Sequence, residues 1–305
     1  MFNNNITARV IQCGFLSEPI LIGRGCRQGD PLSPYLFLLG AEILNILIIL
    51  NPEIIGIIIG ENEYKLVQFA DDTTLILDGS QRSLQATLNT LEIFGNLSGL
   101  KMNTDKTKVI WIGKKRYAKD KLKVSVKLDW GQTEFKLLGL HFSVNLLDIP
   151  HLNYSLALKK ATSIVNQWKT RLITPIGRIV LIKTMILPQF NHLFLSIVTP
   201  KPILDKINRL CFQCLWNGKP DKIRRSTIYK HTNFGGLKMV NVYFFENAMK
   251  LSWIRKLSDQ QNSLASWHKL LLSTTGTLEN LKVLGKKWCL IHFENMFSHS
   301  GQVSV

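Results

Sequence analysis

The stretch Gln68-Phe69-Ala70-Asp71-Asp72-Thr73-Thr74-Leu75-Ile76-Leu77 places two adjacent acids among apolar and β-branched residues. Two strand-like runs with a short polar break between them predict a β-hairpin. We expect the acid pair at the bend, between strands over Tyr64–Ala70 and Thr73–Leu77. Successive strand residues point to opposite faces, so both carboxylates can reach one site only where the backbone turns between them. Outward-facing carboxylates there are the oxygen ligands that hard divalent cations bind.

The alternative interpretation of the acid pair is a polar β-turn without a metal site, because Asp is a favoured turn residue. Taken alone, Asp71 and Asp72 fit that alternative better than a metal site, since acid pairs in turns are common. The flanking segments of the chain decide between the two interpretations.

The composition indicates a globular protein with a polyanionic partner. The chain has 305 residues, of which 46% are hydrophobic and 19% are charged. Its 38 Lys and Arg outnumber 21 Asp and Glu, which gives a net charge of +17. Because the basic residues are spread through folded-looking segments and do not form one juxtamembrane block, we predict a nucleic-acid partner. Binding to a membrane surface is the weaker interpretation.

Neither a secretion signal nor a disulfide framework is visible. The first residues do not show the positively charged stretch followed by an apolar stretch that a signal peptide has. The apolar run Tyr35–Leu50 is interrupted by Glu42 and Asn45. We therefore predict a buried helix there, since the run is short for a membrane span. Of the five cysteines, Cys211 and Cys214 lie in a helical apolar context without zinc-site spacing. They predict a core-facing thiol pair and a reducing, intracellular compartment.

The segment before the hairpin combines glycines, prolines and charges. Arg24-Gly25-Cys26-Arg27-Gln28-Gly29-Asp30-Pro31-Leu32-Ser33-Pro34 predicts a rigid loop whose backbone can approach a ligand closely. Ser33 is the expected N-cap of the following helix, with Pro34 at the first helical position. Arg24 and Arg27 suit contact with phosphate groups, and the alternative is a solvated basic loop.

The segments after the hairpin alternate helix and strand signals. Leucines at helical spacing predict a helix over Gln81–Ser98 that stops at Gly99. A strand over Val109–Gly113 and a hairpin within Leu128–Phe142 follow. Between residues 101 and 123, nine Lys and Arg face only two Asp, which indicates either a solvated loop or a phosphate-facing rim.

Helical periodicity dominates beyond Pro150. The predicted boundary between two regions lies near residues 148–153. The helices expected after it cover Leu156–Leu172, Ile176–Leu187, Ile203–Trp216 and Tyr243–Leu257.

Taken together, these blocks resemble the reverse transcriptase of non-LTR (LINE-class) retrotransposons. The loop at residues 24–34 is similar to palm motif B, and Phe69-Ala70-Asp71-Asp72 to motif C with its catalytic acid pair. Residues 99–108 resemble motif D, and Leu137-Leu138-Gly139-Leu140 resembles motif E, the primer grip. Residues 215–219 and 235–237 are similar to blocks of the thumb and post-thumb region. Group II intron and telomerase-type polymerases match these blocks less well.

The resemblance implies an α+β fold. We expect a polymerase palm, in which an antiparallel sheet carrying the acid hairpin is backed by helices, followed by an α-helical thumb. The implied domains are a partial palm at residues 1–148, a thumb and post-thumb region at 149–257 and a weakly defined segment at 258–305. Apolar palm surface is expected to be exposed.

The resemblance also implies the chemistry of an RNA-directed DNA polymerase. Asp71 and Asp72 would bind two Mg²⁺ ions, and Lys106 would assist the leaving pyrophosphate. The residues expected at the nucleotide and template are Arg24, Arg27, Gln28, Gly29 and Phe69, and those expected at the primer end are Leu138 and Gly139. The implied partners are an RNA template, a DNA primer and deoxynucleotide triphosphates, without a membrane.

One expected part of the palm is not found in the sequence. The family uses a further carboxylate from motif A, in an apolar-x-Asp context upstream of motif B. Before Asp30 the only acid is Glu18, which has no such context. We therefore expect a fragment truncated at its N-terminus, without motif A and fingers, that has little or no polymerase activity alone. The alternative is a catalytically inactive relic that keeps the fold and binds nucleic acid.

Overall fold

The computed structural model describes residues 7–22, 29–59, 61–118 and 120–258. These residues form helices and short two-stranded sheets, in agreement with the predicted α+β class. They divide into two compact units. Of the described residues, the first unit comprises those within 7–57, 63–107 and 122–127, and the second comprises those within 58–62, 108–121 and 128–258.

The first unit contains the acid hairpin and two long helices. Its antiparallel pairs are β1 with β4, β2 with β3 and β7 with β8, and β5 and β6 lie across the division between the units. The elements are β1 (Thr7–Ala8), β2 (Ile11–Gln12), β3 (Phe15–Leu16), β4 (Ile20–Leu21), α1 (Ser33–Leu50), β5 (Ile57–Ile59), β6 (Asn62–Tyr64), β7 (Leu66–Phe69), β8 (Asp72–Leu75) and α2 (Gln81–Ser98).

Helix α1 begins one residue earlier than predicted. Ser33 is its first helical residue and not the N-cap, and Leu32 occupies the position before it. The Asp30 carboxylate accepts the N–H of Leu32 at 2.9 Å, and the Asp30 carbonyl accepts the N–H of Ser33 at 3.1 Å. Asp30 therefore forms the turn that leads into the helix, whereas the first turn of α1 has no side-chain cap.

The prediction that α1 is buried is wrong, because its described neighbours cover only one stripe. Ala41, Leu44 and Ile48 are buried, whereas Leu39 is 66% and Leu50 74% exposed. The expected exposed apolar surface is thus present. By length and composition α1 is long enough to cross a membrane, so the prediction that this apolar run is too short for a span is wrong. The bent helix pair Pro175–Ile186 and Pro188–Ser196 passes the same test if the pair is counted as one span. Buried core helices have the same composition.

Helix α2 has the predicted bounds. The Ser80 hydroxyl accepts the N–H of Ser83, and Gly99 ends the helix at φ 76 with its N–H bonded to the carbonyl of Gly95. Leu84, Leu88 and Phe94 are buried as the helical spacing predicted. Both boundaries follow from local capping chemistry.

A small core joins the hairpin to the helices. Its buried members are Leu44 and Ile48 from α1, Ala86 and Phe94 from α2, and Ile54. Leu66 of β7 and Leu75 of β8 pack against this cluster. The two predicted helices therefore back the acid hairpin, as expected for the palm.

The second unit opens with short strands. Its elements are β9 (Lys108–Val109), β10 (Asp129–Trp130), β11 (Glu134–Leu137), β12 (Leu140–Ser143), α3 (Ile149–Lys169), α4 (Pro175–Leu181), α5 (Pro188–Ser196), α6 (Lys201–Leu215), α7 (Arg225–Ile228) and α8 (Val242–Ser258). Strands β11 and β12 are antiparallel, whereas β9 and β10 form a parallel pair.

Two strand predictions in this region are corrected. The strand expected over Val109–Gly113 ends at Val109, and a 3₁₀ turn covers Gly113–Lys115. The indole N–H of Trp111 donates to the carbonyl of Asp120 at 2.8 Å, which closes the intervening loop. The hairpin expected within Leu128–Phe142 occupies only β11 and β12, because β10 pairs with β9 instead.

The helices of the second unit start earlier and break more often than predicted. Helix α3 begins at Ile149 and not at Leu156. The segment predicted as one helix over Ile176–Leu187 is α4 followed by a π-helical turn at Ile182–Ile186. There the Leu187 N–H bonds to the carbonyl of Ile182, and α5 restarts at Pro188, which has no N–H to continue the ladder.

A large core holds the helices together. Its side chains come from β12, α3, the α4–α5 region, α6 and the segments up to α8. Tyr154, Phe190 and Phe194 are fully buried, and the Tyr154 hydroxyl lies 2.7 Å from the Thr199 hydroxyl.

Candidate active site

The acid pair lies at the tip of the β7–β8 hairpin. Phe69 pairs with Asp72, so Ala70 and Asp71 alone form the two-residue turn. Strand β7 is shorter than predicted because Tyr64 belongs to β6 and Ala70 to the turn, and β8 begins one residue earlier, at Asp72, and ends at Leu75. Ala70 has φ 51, a left-handed conformation that glycine adopts more readily than alanine.

The hairpin register separates a core face from an open face. Directly paired strand residues share a face, so Leu66 and Leu75 define the core face and Phe69 and Asp72 the opposite one. Phe69 is 66% exposed, and the side chains of Asp71 and Asp72 are exposed too. The predicted outward presentation of both carboxylates is therefore present, with Asp71 in the turn and Asp72 on the strand.

The donor set of the tip suits Mg²⁺ only in part. Mg²⁺ is commonly held by one or two carboxylates together with substrate phosphates and waters, and Asp71 and Asp72 supply two carboxylates. Within the described part of the chain, no group of three or more His, Cys, Asp or Glu could hold a metal ion. The remaining ligands would have to come from a substrate or from another carboxylate.

Lys65 anchors the hairpin to α1, a role that sequence reasoning missed. Its ammonium group donates to the carbonyls of Ile49 and Asn51 at 3.0 and 3.1 Å, and it lies 3.5 Å from the Glu63 carboxylate. Lys65 is buried, and it satisfies carbonyls that the end of α1 leaves free. In the sequence, the only sign of this anchoring role is a single lysine next to an apolar strand.

The predicted motif B residues are described only from Gly29 onward. Gly29 has φ 88, and a Cβ atom there would meet nothing within 4 Å, so conformation and not crowding favours glycine. Arg24, Arg27 and Gln28 lie outside the described residues.

Lys106 lies in a turn that follows α2 in the first unit. The Asn103 side-chain oxygen accepts the N–H groups of Asp105 and Lys106 at 3.1 and 3.2 Å. The Asn103 carbonyl also accepts the Thr107 hydroxyl at 2.7 Å. The Lys106 side chain itself is exposed, so its ammonium group can contact an external anion.

The predicted primer-grip residues form the β11–β12 turn in the second unit. Leu138 and Gly139 have φ 48 and 84, the pair of positive values that a type I′ turn requires. The Leu138 carbonyl lies 3.1 Å from Nε2 of His192 on α5. Thus Phe69, Asp71 and Asp72 share one hairpin tip, while Gly29 precedes α1, Lys106 follows α2, and the primer-grip pair belongs to the second unit.

The prediction of a core-facing thiol pair is confirmed by the described residues. Cys211 and Cys214 are buried on α6 without a disulfide. Burial raises the pKa of the Cys211 thiol to about 12, and it raises the pKa of Cys214 as well, partly offset by the positive charge of Arg178. Neither is a reactive nucleophile, because reactive cysteines have lowered pKa values.

Comparison with known families matches residues 3–142 to the reverse transcriptase (RNA-dependent DNA polymerase) family. This range contains the acid hairpin, α1, α2 and the β11–β12 turn. The apolar helix α1 therefore lies inside the matched domain.

Alignments with individual proteins cover more of the chain than the family match does. The Pol polyprotein of the type-2 retrotransposable element R2DM of Drosophila melanogaster is 26% identical over 274 residues, which cover 83% of this chain and 24% of that protein. The Pol polyprotein of the type-1 retrotransposable element R2 of Popillia japonica is 38% identical over 94 residues, or 31% of this chain and 13% of that protein. An uncharacterized 149 kDa protein of transposon TX1 of Xenopus laevis is 24% identical over 209 residues, or 67% and 16%. The chain spans at most about a quarter of these relatives.

Proposed function

We propose that the chain is the palm and thumb part of an RNA-directed DNA polymerase of a non-LTR retrotransposon, because residues 3–142 match the reverse transcriptase family. One observation carries the proposal: Phe69-Ala70-Asp71-Asp72 forms the exposed tip of a hairpin inside the matched segment, backed by α1 and α2. The proposed division is a palm at residues 1–148, a thumb and post-thumb region at 149–257 and a further segment at 258–305.

The proposed reaction is nucleotidyl transfer. The primer 3′-oxygen forms a bond to the α-phosphorus of a deoxynucleotide triphosphate and loses its proton to solvent, the bond to the bridging oxygen breaks, and pyrophosphate leaves. Asp71 and Asp72 would hold two Mg²⁺ ions, which when bound would supply activation of the 3′-hydroxyl and neutralisation of charge on the leaving group. The turn at Ala70 supports this role because it brings Asp71 and Asp72 to one exposed tip.

The other predicted residues have supporting roles in this proposal. Lys106 would protonate or neutralise the departing pyrophosphate, which its exposed ammonium group allows. Leu138 and Gly139 would hold the primer end through the backbone of their tight turn. The contacts to nucleotide and template are assigned to Arg24, Arg27, Gln28, Gly29 and Phe69.

The missing motif A carboxylate supports a further, narrower claim. In the sequence, Glu18 is the only acid before Asp30, and the described residues hold no group of three metal-binding side chains. We infer that residues 1–305 alone bind a primer–template and extend it little or not at all. The same observation favours the second candidate function, an inactive nucleic-acid-binding relic.

A combined binding and extension assay tests the proposal. The transcript is first read across the Met1 codon, and the longest open frame is expressed beside residues 1–305. We expect both proteins to bind a primer–template with strong salt dependence, and only a longer protein that contains an apolar-x-Asp motif to extend the primer with Mg²⁺.

Two variants of the longer protein decide the site. Asp71→Asn should abolish extension, whereas Glu92→Gln, which removes an exposed acid on α2, should leave it unchanged. Extension that survives Asp71→Asn would refute the assigned site. Asp71-dependent extension by residues 1–305 would refute only the claim of inactivity. If no frame with such a motif exists and residues 1–305 bind without extending, the relic function is supported.

A further inference from the structure

Two helices of the second unit contact the backbone of the β11–β12 hairpin through side chains that belong to no motif found in the sequence. One contact comes from Asn153 of α3 and reaches strand β12. The other comes from His192 of α5 and reaches the turn at Leu138 and Gly139. Both helices supply side chains to the larger of the two cores, so the two contacts join the hairpin to that core.

Asn153 pairs with the free edge of β12 as a neighbouring strand would. Leu137 and Leu140 flank a two-residue turn as a hydrogen-bonded pair, so the N–H and C=O of His141 in the next pair point away from β11. Oδ1 of Asn153 accepts the His141 N–H at 2.8 Å, and Nδ2 donates to the His141 carbonyl at 2.7 Å. Nδ2 also donates to the carbonyl of Ile149 at 2.8 Å. Because Asn153 is only 5% exposed, water competes little for these hydrogen bonds.

His192 holds the central peptide group of the turn. The carbonyl of Leu138 can only accept a hydrogen bond, so the proton lies on Nε2 of His192, 3.1 Å away. A Cβ atom built on Gly139 would lie 3.8 Å from the same nitrogen. The imidazole therefore lies against both residues of the turn. Phe190 and Phe194, which are fully buried, fix the helix that carries it.

The turn has a conformation that its first residue does not favour. A Leu-Gly pair suits a type II turn, in which only the glycine has positive φ. Here Leu138 too has φ 48, which is unfavourable for a residue with a Cβ atom. A primed turn matches the twist of the two strands, and His192 holds the Leu138 carbonyl in that geometry. Strained residues that their surroundings hold in place cluster at ligand-binding sites.

The turn that is held in this way offers backbone donors to a ligand. In a two-residue hairpin turn, the N–H groups of both turn residues lie outside the strand ladder. Leu138 and Gly139 are exposed. Backbone N–H groups are common partners of the phosphate oxygens of nucleic acids.

We propose that Asn153 and His192 are positioning residues for the end of the primer. They hold the β11–β12 turn against α3 and α5, so that the N–H groups of Leu138 and Gly139 meet the last phosphodiester of the primer in a fixed orientation. The inference rests on the primer-binding role that the proposed function gives to this turn. It adds that the role depends on two side chains outside the turn, one of them 54 residues from Leu138 along the chain.

A thermodynamic cycle between the protein and the primer tests the inference on the full chain. Fluorescence anisotropy gives Kd for a primer–template whose last primer phosphodiester is either native or an uncharged methylphosphonate. The neutral linkage should weaken binding about fivefold, because the N–H groups of the turn lose a charged acceptor. A primer with the methylphosphonate at an internal linkage is the control for the loss of one charge.

Variants of the two positioning residues complete the cycle. In His192→Leu, the terminal methylphosphonate should change Kd less than about twofold, because the donors of the turn are no longer held on the primer. His192→Gln supplies an amide N–H near the position of Nε2 and should restore most of the effect. Asn153→Ala should reduce the effect as His192→Leu does. His151→Leu removes an exposed imidazole from α3 and should behave like the unchanged chain.

Two further measurements separate positioning from a loss of folding. Urea unfolding should give the same midpoint for His192→Leu as for the unchanged chain, since this side chain is exposed. The ¹⁵N chemical shift of Gly139 senses a hydrogen bond to the carbonyl of Leu138. It should change in His192→Leu and recover in His192→Gln.

The outcomes separate this inference from the proposed function. If folded His192→Leu and Asn153→Ala keep the full effect of the terminal methylphosphonate, the positioning roles are refuted and the primer-binding role of the turn stands. If His192→Gln does not restore the effect, the hydrogen bond is not its cause. If Asn153→Ala does not fold, the two His192 variants decide the inference.

A different set of results would reach the proposed function itself. If the terminal and internal methylphosphonates weaken binding by the unchanged chain equally, the turn does not contact the primer end, and the inference fails together with that assignment. If the chain does not bind the primer–template, the nucleic-acid partner is refuted as well.

Discussion

The two compact units differ in how much apolar surface their described residues bury. The core of the first unit has five buried side chains, and that of the second has 25. In the first unit, most large apolar residues of α1 remain exposed, whereas Phe190 and Phe194 of α5 are fully covered. The candidate catalytic acids thus lie on the unit with the smaller core.

The larger core lies in the second unit, whereas the candidate catalytic residues Asp71 and Asp72 lie in the first. Complete burial of a large apolar side chain contributes roughly 1.5–3 kcal/mol, so the second core has much the larger gross stabilisation. Loops and strands that carry function commonly come from the less stable part of a protein. We expect amides of α3, α5 and α6 to exchange more slowly than those of α1 and the acid hairpin.

The largest expected effect comes from removing an aromatic side chain from the second core. Phe190→Ala should lower the free energy of unfolding by about 3–5 kcal/mol, because the ring is fully buried and pairs with Phe194 at 5.9 Å. Urea unfolding measures the change. Phe244→Ala is the control, since that ring is 73% exposed and should contribute less than about 0.5 kcal/mol. Equal effects of the two variants would contradict the burial of Phe190 in the core of the second unit.

A smaller effect is expected from the anchor of the acid hairpin in the first unit. Lys65→Met should destabilise that unit by about 1.5–3 kcal/mol, because two carbonyls at the end of α1 lose a charged donor. Hydrogen exchange should accelerate in β7 and at the end of α1. Lys101→Met removes an exposed lysine of the same unit and should leave exchange unchanged. Unaltered exchange in Lys65→Met would show that the anchor contributes nothing.

Alkaline pH should weaken the second unit through its buried thiol. The pKa of Cys211 rises from 9.0 to about 12 on folding, so above pH 9 the unfolded state releases a proton that the folded state keeps. This stabilisation is complete below pH 9 and falls by about 1.4 kcal/mol per pH unit towards pH 12. Cys211→Ala should flatten the decline in unfolding free energy between pH 9 and 10.5. Cys13→Ala, at an exposed position, should not, and identical profiles for all three proteins would refute the linkage.

The smallest effect is expected at the tip of the hairpin. Ala70→Gly removes the strain of φ 51 but adds entropy to the unfolded chain, so a net stabilisation of about 0.5–1 kcal/mol should remain. Ala86→Gly in the interior of α2 should instead destabilise by about 1 kcal/mol or more. Thermal unfolding compares the two. Destabilisation by both glycines would mean that the turn does not strain Ala70.

Local chemistry explains which parts of the fold the sequence could predict. The bounds of α2 were correct because Ser80 and Gly99 cap it within a few residues, and the acid hairpin was found because its strands and turn are adjacent. The exposure of α1 and the parallel pairing of β9 with β10 depend on distant segments, so no local pattern shows them.

In the candidate site, too, residues of one contiguous motif could be predicted from the sequence, whereas residues that act through distant contacts could not. Asp71 and Asp72 were identified from one contiguous motif, and the structure gives them the expected exposure. The anchoring role of Lys65 could not be found, because it acts through backbone carbonyls that only folding brings within reach. An isolated lysine carries no spacing signal.

Manganese-induced broadening in the NMR spectrum of the ¹⁵N-labelled chain tests most directly whether the acid tip binds divalent cations. Mn²⁺ replaces Mg²⁺ at oxygen sites and broadens nearby amide signals. We expect the amides from Phe69 to Thr73 to broaden first, the double variant Asp71→Asn with Asp72→Asn to remove this effect, and Glu92→Gln to preserve it. Broadening that begins elsewhere, or that persists at the tip of the double variant, would contradict the assignment of Asp71 and Asp72 as metal ligands.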